Sequence, residues 1–456
     1  MIKHTYVLLC FFSFFIVPGY SQDTEELIST QYSFTLDEAI DFALKNSYQA
    51  VNARREVAKA LQQKWEATAA GLPQIGIDAN YQNQLKQPVT LIPAEFTGGE
   101  PGTFVPVVFG TQHNASATAT LNQLLFDGSY LVGIEAAKSF LQFANDTEEK
   151  TRLEVRESVI NAYGSVLVAQ ESVAILESNV ATLEKNYRET KAIFENGLAE
   201  EEDVEQLQVT LLQIQNQLNN TQRLTDIAKE MFNLTIGVDV NADTTLTENL
   251  DQLSSEYTDL NVLTQNFTIE NNIDYRLGYL LTEQRRLELK LERSKALPSL
   301  GAFINYGTSA FSNEFTIFDS SQPWFQSSIL GVNLSIPVFS SFKRRAKTRQ
   351  ARIALEQANT SFEETQQQLK LQYDSKLSDY QLSLENYAIL KQNLALAKRI
   401  ENKNQIKYEQ GLATSFELRQ AQLQLYSAQQ EILQSMLAIV NNKAQLETIL
   451  NIPENQ

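Results

Sequence analysis

The sequence contains very few of the side chains that carry metal and nucleophile chemistry. Its 456 residues include two histidines, His4 and His113, and one cysteine, Cys10. A metal site built from histidine and cysteine needs three or four ligands close together, and a catalytic cysteine or serine needs a neighbouring base. The composition therefore argues against an enzyme of these classes, and we expect neither a metal nor another cofactor.

Positive charge is also scarce. The 37 lysines and arginines are outnumbered by 55 acidic residues, which gives a formal net charge of −18. Proteins that bind nucleic acids neutralise phosphates with clustered lysine and arginine side chains. The only dense basic run in the sequence is Lys343-Arg344-Arg345-Ala346-Lys347, so we do not expect nucleic acid as a partner.

The most apolar run of the sequence lies at its N-terminus. Residues 6–17 are mainly apolar and are followed by small residues at Gly19 and Ser21. This order is typical of a signal peptide with its cleavage site. We therefore expect residues 1–21 to be removed on export, so that the mature chain begins near Gln22. We find no later run that approaches the roughly 18 to 20 apolar residues of a membrane-spanning helix, which leaves strands to meet any membrane.

Glycine and proline are absent from residue 338 to residue 410, and the residues present favour helix. A helix of about 68 residues is on the order of 100 Å long, too long for a globular domain. Its apolar residues recur at steps of three and four and form one narrow stripe. Taken alone, the stretch is also typical of an ordinary coiled coil. The stripe consists of Leu369, Tyr373, Leu377, Tyr380, Leu384, Tyr387, Leu390 and Leu394.

The long helical stretch has an earlier counterpart at residues 129–196. Both stretches end in the tripeptide Gly-Leu-Ala, at residues 197–199 and 411–413, and a shorter helical segment follows each. The sequence thus predicts the duplication of a long helical hairpin with a glycine at its turn. The division predicted is a first repeat, a linker and a second repeat, at residues 22–237, 238–262 and 263–456.

Between the helical segments the apolar period changes to two, in residues 74–126 and 299–339. Each repeat holds two alternating segments of roughly 9 to 11 residues, the length that a tilted strand needs to cross a bilayer. Aromatic residues flank these segments, as they do in outer-membrane barrels. A half-buried strand of a soluble sheet is the alternative. The alternating apolar residues are Ile75, Ile77, Ala79, Tyr81, Ala115, Ala117, Ala119, Leu121, Leu300, Ala302, Ile304, Tyr306, Leu330, Val332, Leu334 and Ile336.

Four strands in a membrane cannot remain an open sheet, because the edges would leave backbone groups unpaired in hydrocarbon. The four strands of one chain are also too few to close into a barrel. Eight strands from two chains would leave an interior filled by side chains, whereas twelve strands from three chains would leave a lumen. We therefore expect a homotrimer that is embedded in lipid.

The N-terminal region then resembles a known family. Residues 34–46, Phe-Thr-Leu-Asp-Glu-Ala-Ile-Asp-Phe-Ala-Leu-Lys-Asn, are similar to the opening of TolC-like outer-membrane efflux proteins, and the duplication and Gly-Leu-Ala turns are similar to the rest. Locally, Thr35 and Glu38 form a capping box that starts a helix. The resemblance implies a mostly α-helical chain with a transmembrane β-barrel part. Three chains would form a twelve-strand barrel in the outer membrane and an α-barrel across the periplasm.

The resemblance also implies a gate at the helix tips. In this family the periplasmic ends close the pore and open on docking with a periplasmic adaptor (membrane fusion) protein and an inner-membrane transporter of the RND or ABC type. The tips of this chain would be Gly197 with Leu198 and Gly411 with Leu412.

Three residues match the gate positions of the family. Tyr408 and Asp203 match positions that link neighbouring helices in the closed state, and Glu417 matches the first acid that lines the constriction. Ala413 and Gln420 depart from the pattern, since the best-known member has an arginine and a second acid there. For the two acids, stabilisation of a helix N-terminus is the simpler alternative.

Together these observations predict an exit duct that is not an enzyme. The duct would serve a tripartite efflux pump or a type I secretion system, and because the sequence has no ATP-binding motif its energy would come from its partners. The alternative is a periplasm-spanning coiled-coil scaffold or adaptor with a soluble β-region. The cargo classes left open are drugs, metal ions and proteins.

Overall fold

The computed structural model describes residues 31–451 except residues 259 and 266. The predicted signal peptide lies outside this range. The described helices, in chain order, are α1 (Leu36–Asn46), α2 (Tyr48–Ala69), α3 (Gly128–Glu195), α4 (Glu201–Ile236), α5 (Leu250–Glu256), α6 (Ile273–Ser294), α7 (Lys343–Glu409) and α8 (Ser415–Leu450). The strands are β1 (Tyr32–Phe34), β2 (Gln74–Asn83), β3 (Val89–Pro93), β4 (Phe104–Val108), β5 (His113–Asp127), β6 (Thr244–Leu246), β7 (Ser299–Ser312) and β8 (Phe325–Ser335).

Helices α3 and α7 have the length that the sequence predicts. They contain 68 and 67 residues, so each extends about 100 Å. The stretch without glycine or proline begins at Val338, whereas α7 begins five residues later, at Lys343. The helix cannot start earlier because Ser341 and Phe342 adopt positive φ angles of 47° and 63°. Helix α3 begins directly after β5, where the Asp127 carboxylate accepts hydrogen bonds from the amides of Ser129 and Tyr130.

Four strands form one antiparallel sheet in the order β2-β5-β7-β8. Strand β5 lies in the first half of the chain and β7 in the second, so their pairing joins the two halves. Strands β2 and β8 are the edges of the sheet. The segment between β2 and β5 contains an additional hairpin, β3 and β4, which the alternating pattern did not indicate.

The strand register places the alternating apolar residues on one face of the sheet. Ile75, Leu121, Ile304 and Leu330 are direct neighbours across all four strands. Ile75 and Leu330 are 73% and 76% exposed. The opposite face carries small polar residues, such as the row formed by Asp78, Thr118, Gly307 and Ser327. The sheet therefore has the apolar and polar faces that the sequence predicts.

The main core lies where α1, α3, α5 and α8 meet beside the parallel pair β1 and β6. It contains an apolar part of α3, where Val159, Ile160 and Tyr163 are fully buried. One 18-residue window of α3 is long and apolar enough to cross a membrane, with a mean hydropathy of 1.4, and half of that window is buried. The expectation that no such run follows the N-terminal segment was therefore wrong. Packing in this core accounts for the apolar composition.

Candidate gate at the helix tips

Helices α3 and α7 end in two tight turns, one in each half of the chain. Gly197 and Gly411 adopt φ angles of 74° and 71°, a region that other residues enter only with strain. The amide of Leu198 donates to the carbonyl of Ile193, and the amide of Leu412 donates to the carbonyl of Lys407. These bonds satisfy carbonyl groups at the helix ends. The glycines thus let each long helix reverse within a few residues.

The leucines that follow the glycines are the most exposed apolar side chains of the turns. Leu198 is 81% exposed and Leu412 is 73% exposed. Both side chains lie at the end of the molecule farthest from the sheet. Apolar side chains exposed in this way often mark contact sites for other proteins.

Glu417 has a structural role within its own chain. Its carboxylate accepts a hydrogen bond of 2.9 Å from the amide of Thr414, and its amide donates to the Thr414 hydroxyl at 3.2 Å. This capping box starts α8. The simpler interpretation of Glu417, stabilisation of a helix N-terminus, is therefore observed. Ala413 lies just before this cap, in the turn, and Gln420 lies in the second turn of α8.

Asp203 and Tyr408 join the two hairpins, but each binds a partner that the sequence did not indicate. The carboxylate of Asp203, in the first turn of α4, accepts a hydrogen bond from the hydroxyl of Ser415, in the first turn of α8. The Tyr408 hydroxyl lies 2.5 Å from the hydroxyl of Thr190, a fully buried residue of α3. Among the described residues, Tyr408 and Asp203 form no hydrogen bond with each other.

The surroundings of Tyr408 keep its phenol neutral. Burial is the main cause that raises its pKa above the ordinary value. The hydrogen bond with Thr190 lowers the pKa, and the nearby carboxylate of Asp203 raises it. A neutral phenol can donate or accept a hydrogen bond. Asp203 thus acts on Tyr408 through its charge.

Three further polar contacts continue the link between the hairpins along α3. Asn186 and Gln405 exchange two amide hydrogen bonds of 3.1 Å. The Asn179 amide donates to the Gln429 side chain at 3.0 Å, and the Ser172 hydroxyl lies 3.5 Å from the Gln430 side chain. We call these contacts, with Thr190–Tyr408 and Asp203–Ser415, the polar seam.

The α3 side of the polar seam is a stripe of polar residues interrupted by two leucines. The buried stripe of α3 consists of Ser172, Leu176, Asn179, Leu183, Asn186 and Thr190. The steps of four and three are those of a coiled-coil seam, and polar residues occupy four of its six positions. Polar residues at such positions fix the register of helices but stabilise them less than apolar ones do. The spacing of seven between Ser172, Asn179 and Asn186 is the sequence signal that could have revealed the seam.

A long helical wall that carries a two-faced sheet at one end and tight turns at the other defines a membrane-anchored tunnel subunit. The chain belongs to the outer membrane efflux protein family, which residues 39–238 and 268–451 match. No curated protein matches the chain in sequence.

Solved structures share the architecture. VceC, an outer membrane protein of Vibrio cholerae, is 16% identical with a TM-score of 0.69, over 91% of this chain and 95% of that one. The CmeC outer membrane channel of Campylobacter jejuni is 16% identical with a TM-score of 0.71, over 91% and 85%. The MtrE outer membrane channel of Neisseria gonorrhoeae, solved in its open state, is 18% identical with a TM-score of 0.69, over 91% and 88%. At these identities the likeness concerns the fold.

Family and fold together make the chain an outer-membrane exit duct of efflux pumps, with its helices extending into the periplasm. The resemblance to TolC-like efflux proteins is confirmed, as is the combination of an α-helical and a β-barrel part. The soluble scaffold or adaptor is therefore set aside. The family and the fold are those of channels.

Proposed function

We propose that three copies of this chain form a passive channel that performs no catalytic step. The observation that carries the proposal is the two-faced sheet with unpaired edges at β2 and β8. These edge strands run antiparallel to each other, so β8 of one copy can pair with β2 of the next. Three copies then close a twelve-strand barrel whose small polar face lines the lumen.

The polar seam supports a closed state that opens without unfolding. A neutral hydrogen bond between side chains stabilises a protein by only about 0.5 to 1.5 kcal/mol, because water can replace either partner. The apolar cluster of the same bundle contains residues of both hairpins, such as Leu183 and Leu211 of the first and Leu425 of the second, so opening along the seam would also separate some of these apolar side chains. Separation of the α7–α8 hairpin from the α3–α4 hairpin along the seam would widen the entrance.

The exposed Leu198 and Leu412 would receive a periplasmic adaptor protein, which in turn would connect the channel to an inner-membrane transporter of the RND or ABC type. Such a partner also supplies the energy, since the sequence has no ATP-binding motif. An efflux pump or a type I secretion system would both use a duct of this kind.

The proposed function is tested by purifying the full chain and recording currents in planar lipid bilayers. We expect a heat-sensitive trimer on gels and discrete ion-conducting events. A monomer that inserts no conductance at any protein concentration would contradict the proposal.

The loops at the end of the sheet farthest from the helices should face the outside of the cell. An epitope inserted near Gly99 or Ser320, in exposed loops, should be labelled on intact cells. The same epitope beside Asn241, in the turn after α4, should be labelled only after the outer membrane is permeabilised. The reverse pattern would show that the topology is inverted.

Glu417 should form an acidic ring at the entrance in the trimer, in addition to capping α8. Glu417→Gln separates the two roles, because glutamine can replace glutamate in a capping box but carries no charge. We expect block by the trivalent cation hexamminecobalt to weaken on the order of tenfold, which corresponds to about 1.4 kcal/mol of attraction. Single-channel recordings measure the block of the current by the cation. Glu230→Gln, an exposed change on α4, should leave block unchanged, and equal block in all three proteins would contradict the ring.

A further inference from the structure

The start of α7 carries an unusual density of positive charge for an acidic chain. Six of its first ten residues are cationic, and we call them the basic collar: Lys343, Arg344, Arg345, Lys347, Arg349 and Arg352. Among the described residues, no carboxylate lies within ion-pair distance of any of the six. Arg344 donates instead to the carbonyls of Pro337 and Val338, at 2.8 and 3.3 Å. The other five cationic side chains are exposed.

The collar lies directly below the sheet. Strand β8 ends at Ser335, and the connection to α7 exposes apolar side chains, including Val338 and Phe339. Phe339 and Phe342 form an edge-to-face ring pair with centroids 6.1 Å apart. An apolar surface followed by aromatic residues and then by cations is the order found where a protein leaves the hydrocarbon and enters the headgroup region.

Three faces of α7 can be distinguished at the collar. The face toward α6 continues down the helix to Phe362, which contacts the Tyr275 ring. Arg344 and the buried Ala351 lie on this face, since they are spaced by multiples of about 3.6 residues from Phe362. The remaining collar residues fall into two rows, each with spacings of three or four. The rows are Lys343 with Lys347, and Arg345 with Arg349 and Arg352.

At least one row must face the outside of the barrel. In the proposed trimer, α7 has α6 on one side and a neighbouring copy on the other, so the wall is one helix thick. Of the two faces that remain, one borders the lumen and the other borders the exterior. Because both rows are cationic, two or more cations face outward in either case. This step depends on the proposed trimer.

We propose that the basic collar binds the phosphate headgroups of anionic glycerophospholipids in the periplasmic leaflet of the outer membrane. Ten helical residues span about 15 Å, enough to cross the headgroup layer. Arg345 and Arg349 line a surface hollow of about 600 Å³ together with Phe342 and Ile353. Guanidinium groups suit phosphate, and the apolar residues beside them suit the glycerol and acyl carbons. The collar would thereby fix the height of the channel in the membrane.

The full chain can be tested in nanodiscs of phosphatidylcholine with one quarter phosphatidylglycerol. Lipids that remain bound after transfer to mild detergent are quantified by native mass spectrometry. We expect phosphatidylglycerol to be enriched severalfold over its bulk fraction, since each lysine or arginine near an anionic surface contributes about fivefold. Two row variants are compared with the wild-type protein, and one of them should abolish the enrichment. The first is Lys343→Gln with Lys347→Gln, and the second is Arg345→Gln with Arg349→Gln and Arg352→Gln. The row whose change abolishes the enrichment is the outward row.

The control variant neutralises two exposed cations far down the same helix, Lys398→Gln with Arg399→Gln, and should keep the wild-type enrichment. Three results would overturn the proposal: no enrichment in the wild-type protein, wild-type enrichment in both row variants, or displacement by inorganic phosphate beyond that caused by sodium chloride of equal ionic strength. Trimer mobility and conductance are measured on the same samples. A conducting trimer without enrichment would refute the collar alone, whereas loss of trimer and conductance would refute the channel.

Discussion

Ile304→Arg should sharply reduce the amount of protein that assembles in the outer membrane, whereas Asn305→Arg should leave it close to the wild-type level. Ile304 lies on the apolar face of β7, in the row with Ile75, Leu121 and Leu330. An arginine that faces lipid near the bilayer midplane costs about 2 to 4 kcal/mol, while the lumen accommodates charge. The yield of heat-sensitive trimer in outer-membrane fractions measures the difference.

A second pair on β8 provides an independent check of the same faces. Leu330 neighbours Ile304 and lies on the apolar face, whereas Ser327 pairs with Gly307 on the polar face. Leu330→Arg should therefore reduce the yield and Ser327→Arg should not. Equal loss within both pairs would show that the faces are assigned incorrectly.

The faces of the sheet could be predicted from sequence because alternation is a local property of each strand. Strand pairing is not local: β5 and β7 are joined only after a helical hairpin of more than a hundred residues intervenes, and the repeat alone did not specify their register. The hairpin of β3 and β4 was missed for a different reason. Pro93 and Pro106 lie within its strands, and proline in a short segment argues against a strand unless the strand is at an edge.

The helix tips show the same division between local and distant information. The glycine turns and the capping box of Thr414 and Glu417 depend on residues that are close in sequence. The partners of Asp203 and Tyr408 depend on how one hairpin packs against the other, across more than 200 residues. A resemblance can transfer the positions of such residues. It cannot transfer their partners when neighbouring positions such as Ala413 differ.

Tyr408→Phe combined with Asp203→Ala should raise the open probability of the resting channel. Each substitution removes one hydrogen bond of the polar seam: the neutral bond of Tyr408 contributes about 0.5 to 1.5 kcal/mol, and the bond to the Asp203 carboxylate about 1.5 to 3 kcal/mol. Losing both in one chain shifts the balance between open and closed states by roughly 30- to 2,000-fold. Thr190 still donates to the carbonyl of Asn186, whereas the Ser415 hydroxyl loses the Asp203 carboxylate as its acceptor. Single-channel recordings at low voltage measure the change.

Tyr426→Phe combined with Asp226→Ala is the matched control for this experiment. It removes the same atoms from the same two hairpins, but the Tyr426 hydroxyl has no hydrogen-bond partner among the described residues, and Asp226 is exposed on α4. Its open probability should equal that of the wild-type protein. If the variant with Tyr408→Phe and Asp203→Ala also opens as often as the wild-type channel, these two residues do not hold the channel closed.

The opposite change tests whether the seam is weak because it is polar. Asn186→Leu combined with Gln405→Leu replaces the amide pair of the buried Asn186 and the half-buried Gln405 by apolar side chains. Among the described residues, the only other side chain that loses a partner is the exposed Glu409, which water can solvate. A leucine layer in a coiled-coil seam stabilises helix packing more than a polar layer does. This variant should therefore melt at a higher temperature and open less often than the wild-type channel. A variant that is more stable but opens as often as the wild-type channel would separate stability from gating and exclude this layer from the gate.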